Sequence, residues 1–175
     1  MDPIPVNRML RELLAADERL ALEFFLVHLR DVCEPSVAGD ELLYNASVLA
    51  HYAQVSTATT VGVPMLTSLS AFFDHFVIDS TAHGDPDIME TAAAQCLLLA
   101  GFFEDQMRRR HSVGWYAVVG AGFFNSAAAQ QKSARKARLL YALSRHFGEW
   151  RQRHARLSRE LRDLPYLLPP PFDKV

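Results

Sequence analysis

CLLLAGFFEDQMRRRHSVGWYAVVGAGFF, residues 96–124, decides how the chain is read. Two apolar arms, each containing Ala-Gly-Phe-Phe, flank Glu104-Asp105 and then Arg108-Arg109-Arg110-His111. A bilayer-spanning helix needs roughly 20 consecutive apolar residues. The apolar stretches Thr91–Phe103 and Val113–Phe124 are shorter, and Arg108–His111 separates them. The stretch therefore reads as a helical hairpin buried in a core. Arginines in the last turn of its first arm oppose the negative end of the helix dipole. Three in a row exceed what capping requires, so Arg108, Arg109 and Arg110 are also candidate contacts for an acidic partner.

Outward from this hairpin the chain continues in helix after helix. A short helix near Val6–Ala15 is expected first. Asp17 then stands as the N-cap of a helix to about Val32, and Asp40 opens another after the turn Pro35–Gly39. Gly62 and Pro64 interrupt the pattern. Leu66–Ile78 resumes it, with Leu69, Phe72, Phe73 and Phe76 at helical spacing. Asp85-Pro86 reads as N-cap plus N1 proline of a helix running to about Arg110. Another helix is expected over Val113–Ala129, and a long one from Lys132 to Asp163. The tail, LPYLLPPPFDKV, cannot stay helical through its prolines.

These elements predict an all-α, single-domain bundle of six or seven helices over residues 1–164, followed by a proline-containing tail over 165–175. Its 175 residues, half of them hydrophobic, suffice for a core without disulfides or a structural metal. Phe-Phe pairs at 24–25, 72–73, 102–103 and 123–124 widen buried stripes, since neighbours on a helix lie ~100° apart. The glycines among them, Gly101, Gly120 and Gly122, are expected to let helices approach closely.

The last helix has the clearest pattern. Leu140, Leu143, Phe147, Trp150, His154, Leu157, Leu161 and Leu164 alternate spacings of three and four, the a/d seam of a coiled-coil-like helix. Trp150 and His154 on that seam are candidate partner-binding residues. A polar residue at such a position fixes register or partner choice, although a histidine tucked into a core is the plainer reading.

Charge is sharply divided. Asp31–Met107 contains no Lys or Arg, whereas Arg108–Arg162 is strongly basic, and the whole chain sums to −2. Acidic and basic helices that neutralise each other within one bundle explain this most simply. A basic last helix with no accompanying nucleic-acid motif gives weak support for polyanion binding through Arg145–Arg162.

Chemistry-bearing motifs are missing from the sequence. It has no HExxH, ExxH, G-x-S-x-G, P-loop or G-x-G-x-x-G. Histidine–acid pairs occur at His28/Asp31, His75/Asp79 and His146/Glu149, but these are ordinary helical neighbours. No catalytic residue, metal site or cofactor is expected. Cys33 and Cys96 form no CxxC, and MDPIPVNRML lacks the pattern of a signal peptide, which suggests a reducing cytoplasm.

The span from about Ala94 to Leu161, carried by LLLAGFF, RRR, GWYAVVGAGFFNSAA and a closing helix with LSRHF, resembles uncharacterised bacterial helical proteins. That family has no assigned activity. The resemblance implies a bacterial, cytoplasmic, all-α protein and transfers no site residues.

The function expected is that of a non-enzymatic helical protein that binds another protein or its own copy, without a membrane and without nucleic acid. A bundle that holds an apolar small molecule is the alternative. Its aromatic walls would include Phe102 and Phe123, and its polar contacts Tyr44, Asn45, His51 or Glu104.

Overall fold

A computed structural model describes residues 17–57, 84–108 and 112–161, and every regular element among them is helical. In chain order these are α1 (Glu18–Val32), α2 (Gly39–Thr57), α3 (Pro86–Leu97), a π-helical turn (Leu98–Phe102), α4 (Glu104–Arg108), α5 (Val113–Gln130), α6 (Ala134–Arg145) and α7 (Phe147–Glu160). The all-α class expected from the sequence is the class observed. The expected helices near Val6–Ala15 and over Leu66–Ile78, the tail from 165, Phe72-Phe73 and His75/Asp79 lie outside the described residues.

Local chemistry starts the helices where the sequence indicates. Asp17 accepts hydrogen bonds from the Arg19 and Leu20 amides at 2.9 and 3.2 Å. Asp85 does the same for Asp87 and Ile88 at 2.8 and 3.3 Å, with Pro86 supplying a first position that needs no donor. Ser112 and Ser133 cap α5 and α6 by accepting from the Trp115 and Lys136 amides. Each cap satisfies amide donors that the first helical turn leaves without intrahelical acceptors.

The described helices group into two compact units, α1 and α2 together with residues 157–161, and α3 through α7 as far as Arg156. In the first unit α1 turns Ala21, Phe25, Leu29 and Val32 inward. They meet α2, whose buried residues include Leu42, Ala46, Leu49 and Ala53. Asn45 is fully buried and donates to the Glu41 carbonyl 2.8 Å away, one turn back on its own helix. In the second unit α5 packs against both α3 and α6. Nine consecutive residues, Cys96–Glu104, are buried. A helix enclosed on all sides is what an apolar run without a polar face produces.

Two expected helices are interrupted. The helix from Pro86 does not run unbroken to Arg110. It passes into a π-helical turn in which the Phe103 amide donates to the Leu98 carbonyl at 2.9 Å, then resumes as α4 over Glu104–Arg108, and Arg109 and Arg110 lie outside the described residues. The long helix expected from Lys132 begins instead at Ala134 and bends at His146 (φ −99°, ψ 17°). Hydrogen bonds continue across that bend, from His146 N–H to the Ala142 carbonyl and from Trp150 N–H to the His146 carbonyl, both 2.9 Å. It is therefore a kink, next to Gly148 and at the residue where Phe147 turns its ring toward Phe124, 6.0 Å between centroids. The seam survives it: Leu140, Leu143, Phe147, Trp150, His154, Leu157 and Leu161 are all buried.

Candidate functional site

Just past the π-helical turn, Glu104, Arg108 and Arg151 come together where α4 meets α7. Gly101 lies against α7 so closely that a Cβ there would sit 2.8 Å from the His154 Cβ and 3.1 Å from the Arg151 carbonyl oxygen. One residue past the turn's end at Phe103, Glu104 is buried beneath two arginines. Arg108 Nη2 donates to its Oε1 at 2.6 Å, and Arg151 Nη1 stands 3.9 Å from the same oxygen. The first pair links neighbours one turn apart on α4; the second ties α4 to α7. A buried carboxylate held by guanidinium groups secures this helix junction, because removing either sign would leave the other charge uncompensated.

His154 adjoins this junction and is completely buried. Burial pushes its pKa down to about 3, so its imidazole is neutral at pH 7. A ring sealed from solvent in this way is core, not an acid–base group offered to a substrate.

Further along the hairpin Gly120 makes the second close approach. A Cβ there would lie 2.6 Å from the Cys96 Cβ and 2.6 Å from Cζ of Phe147. Burial pushes the Cys96 thiol up, and burial followed by the nearby Cys96 raises Tyr116 to about 12. Both groups are therefore neutral at pH 7, and Cys96 is not primed as a nucleophile.

The outward face of α5 is different in kind. None of its eighteen residues, VGWYAVVGAGFFNSAAAQ, is charged. Tyr116, Gly120, Phe123, Phe124, Ala127 and Ala128 point inward. Trp115, Val118, Gly122, Asn125 and Ala129 point outward, spaced three, four, three and four apart. Val118 is 75% exposed and Trp115 37% exposed, and Tyr141 on α6 is exposed as well. An uncharged helix with solvent along one face departs from the usual amphipathic division, in which that face carries charge.

Trp150 and His154 are both fully enclosed by this chain, with the Arg153 guanidinium 4.6 Å above the Trp150 ring. Any contact that α7 makes with a partner therefore uses its other faces. Arg108 is largely exposed at the end of α4 beside Glu104, while Arg109 and Arg110 lie outside the described residues. Of the alternative ligand residues, Tyr44 is half-buried and His51 exposed, both on α2 of the first unit. Phe102, Glu104 and Phe123 are buried in the second unit, where the Phe102 ring meets Phe103 edge-on at 5.1 Å. The Trp115–Ala129 stripe is not among the residues expected from sequence, yet it has one legible signal, a helix of this length without a charged residue.

Among the described residues no three His, Cys, Asp or Glu side chains converge as metal ligands, and no helix is long and apolar enough to cross a membrane. Comparison of the chain with protein-family models, with curated proteins and with solved structures returns no match.

Proposed function

We propose that this chain is a non-enzymatic helical protein that works by binding another protein, a second copy included, through the outward face of α5. The observation that carries this reading is the charge-free helix whose Trp115, Val118 and neighbouring small residues face solvent. Covering such a face releases water from apolar surface without stripping water from a charge. Aromatic residues such as Trp115 and Tyr141 are also the side chains that contribute most to protein interfaces. A cytoplasmic setting accords with two cysteines that both remain thiols. A bacterial source rests on the resemblance of the hairpin and closing helix alone.

The test is photo-crosslinking in cells of the source organism, with a benzophenone amino acid at position 118 and, as control, at the exposed Gln152 of α7. A protein adduct from position 118 that the control does not give is the expected result. Absence of any protein adduct from position 118 would overturn the reading.

A further inference from the structure

We propose that the occupant of the α5 face is an acidic, apolar-faced helix of another protein, held by Arg138, Tyr141 and Arg145 of α6 beside the uncharged stripe. The inference rests on the interaction reading above and adds the chemistry of the partner.

One hydrogen bond places this part of α6 next to the stripe. Ser144 Oγ donates to the Ala121 carbonyl at 2.8 Å, and both residues are half-buried. They mark the line at which the α5–α6 contact passes from core to solvent. On its inner side Phe124 and Ala128 of α5 and Leu140 and Leu143 of α6 are all buried. On its outer side lie the exposed Val118 and Asn125, one turn before and one turn after Ala121, and the exposed Tyr141, one turn before Ser144. Arg138 and Arg145 stand three residues before Tyr141 and four after it, on the same face of α6, and both are exposed. Among the described residues neither arginine makes an ion pair, Glu149 beyond the kink included.

α3, on which α5 also packs, brings no free acid to this surface. Asp87 lies nine residues before the Cys96 that meets Gly120, which puts it on the opposite face of α3. Glu90 is taken by Lys136 at 2.8 Å, and Asp85 is bonded to amides of its own helix.

Two guanidinium groups flanking an exposed aromatic ring, beside a helix face with no charge of its own, suit a helix with one apolar stripe and carboxylates along its edge. Arg138 and Arg145 are about 10.5 Å apart along α6 at 1.5 Å per residue. Acids seven residues apart on the partner therefore reach both, with an apolar residue midway against Tyr141. The apolar centre supplies affinity, and the complementary rim fixes register and excludes basic partners. The uncharged stripe separates this surface from a groove for single-stranded nucleic acid, which carries positive charge along the whole backbone track.

The described helices of this chain offer no such segment. The exposed Leu20 and Val27 of α1 stand next to Arg19 and one turn from Arg30, and the exposed Leu43 of α2 is followed on its face by Ser47 and His51. The acidic helix is accordingly assigned to another protein.

The experiment crosslinks from the benzophenone amino acid at position 118 in cells of the source organism and identifies the crosslinked peptide by mass spectrometry. It compares the otherwise wild-type chain with Arg138→Glu/Arg145→Glu, with the milder Arg138→Gln/Arg145→Gln, and with Arg30→Glu on α1 as a control for charge alone. Expected is a protein adduct whose crosslinked peptide is net negative, lowered about tenfold by the glutamate pair, lowered less by the glutamine pair and unchanged by Arg30→Glu. The same peptide, made synthetically, should bind the purified chain more weakly by about tenfold as salt rises from ~0.05 to ~0.5 M. If circular dichroism shows that the glutamate pair loses helix, the glutamine pair carries the comparison. A neutral or basic crosslinked peptide, one from a second copy of this chain alone, or a yield that neither arginine pair changes overturns the inference and leaves the interaction reading standing. No protein adduct from position 118, with lipid or nucleic-acid adducts alone counted as none, overturns both.

Discussion

Two glycines on one helix, two positions apart, should respond in opposite directions to the same methyl group. Gly120 faces inward, where a Cβ would come within 2.6 Å of both the Cys96 Cβ and the Phe147 ring. The ring edge can swing aside, but the Cys96 Cβ is fixed to the backbone of α3, so the helices themselves must separate. Overpacking of this kind costs about 1–3 kcal/mol, against about 1 kcal/mol gained by replacing glycine with alanine inside a helix. With two groups in the way the upper part of that range applies, and Gly120→Ala should destabilise by about 1–2 kcal/mol net. Gly122 has nothing within 4 Å of its added Cβ. Gly122→Ala should therefore keep the propensity gain and stabilise by up to about 1 kcal/mol. Urea unfolding followed by far-UV circular dichroism, at a protein concentration low enough to keep the chain monomeric, reads both. A separation of about 2–3 kcal/mol corresponds to midpoints roughly 1 M apart in urea. A Gly120→Ala midpoint at or above wild type would refute the close packing of α3 on α5. Destabilisation by Gly122→Ala equal to that of Gly120→Ala would refute the outward assignment of the 115–129 face.

Two further outcomes follow from the α7 seam. His154 titrates near 6.5 when unfolded but only at about 3 when folded, so below pH 6.5 the unfolded chain takes up a proton that the native state refuses. Stability is lost as pH falls from 6.5 toward 3, by about 1.4 kcal/mol per unit or roughly 2 kcal/mol by pH 5, and unfolding curves of His154→Gln should lack that component; identical pH dependence in the two proteins would contradict the buried, neutral imidazole. Trp150→Ala empties a fully buried site and should cost about 3–5 kcal/mol, while the exposed Arg156→Ala should stay within about 0.5 kcal/mol by the same thermal or urea measurement. Equal effects would place Trp150 off the core seam.

The helical class, the caps at Asp17 and Asp85, the hairpin around residues 96–124 and the inward seam from Leu140 to Leu161 are all legible in the amino-acid order. Each of these follows from signals within a few turns of chain: a side chain that reaches its own helix's amides, or an apolar period of three and four. Features that depend on residues far apart in the chain emerge only from helix packing. The three candidate close-approach glycines look alike in sequence, yet Gly101 and Gly120 meet neighbouring helices while Gly122 faces outward, because a one- or two-residue step turns a helical position by ~100–200°. Arg151, one of several arginines off the seam, is drawn to the buried Glu104, and the helix from Pro86 widens into a π-turn where Gly101 meets α7. Periodicity marked Trp150 and His154 as a seam but not which chain fills it; this chain encloses both side chains itself. The face left to solvent is instead that of α5, whose eighteen uncharged residues carry no amphipathic pattern to say which side turns outward. Only the packing of α3 and α6 against α5 settles that, since burial is a property of neighbours and not of the residue buried.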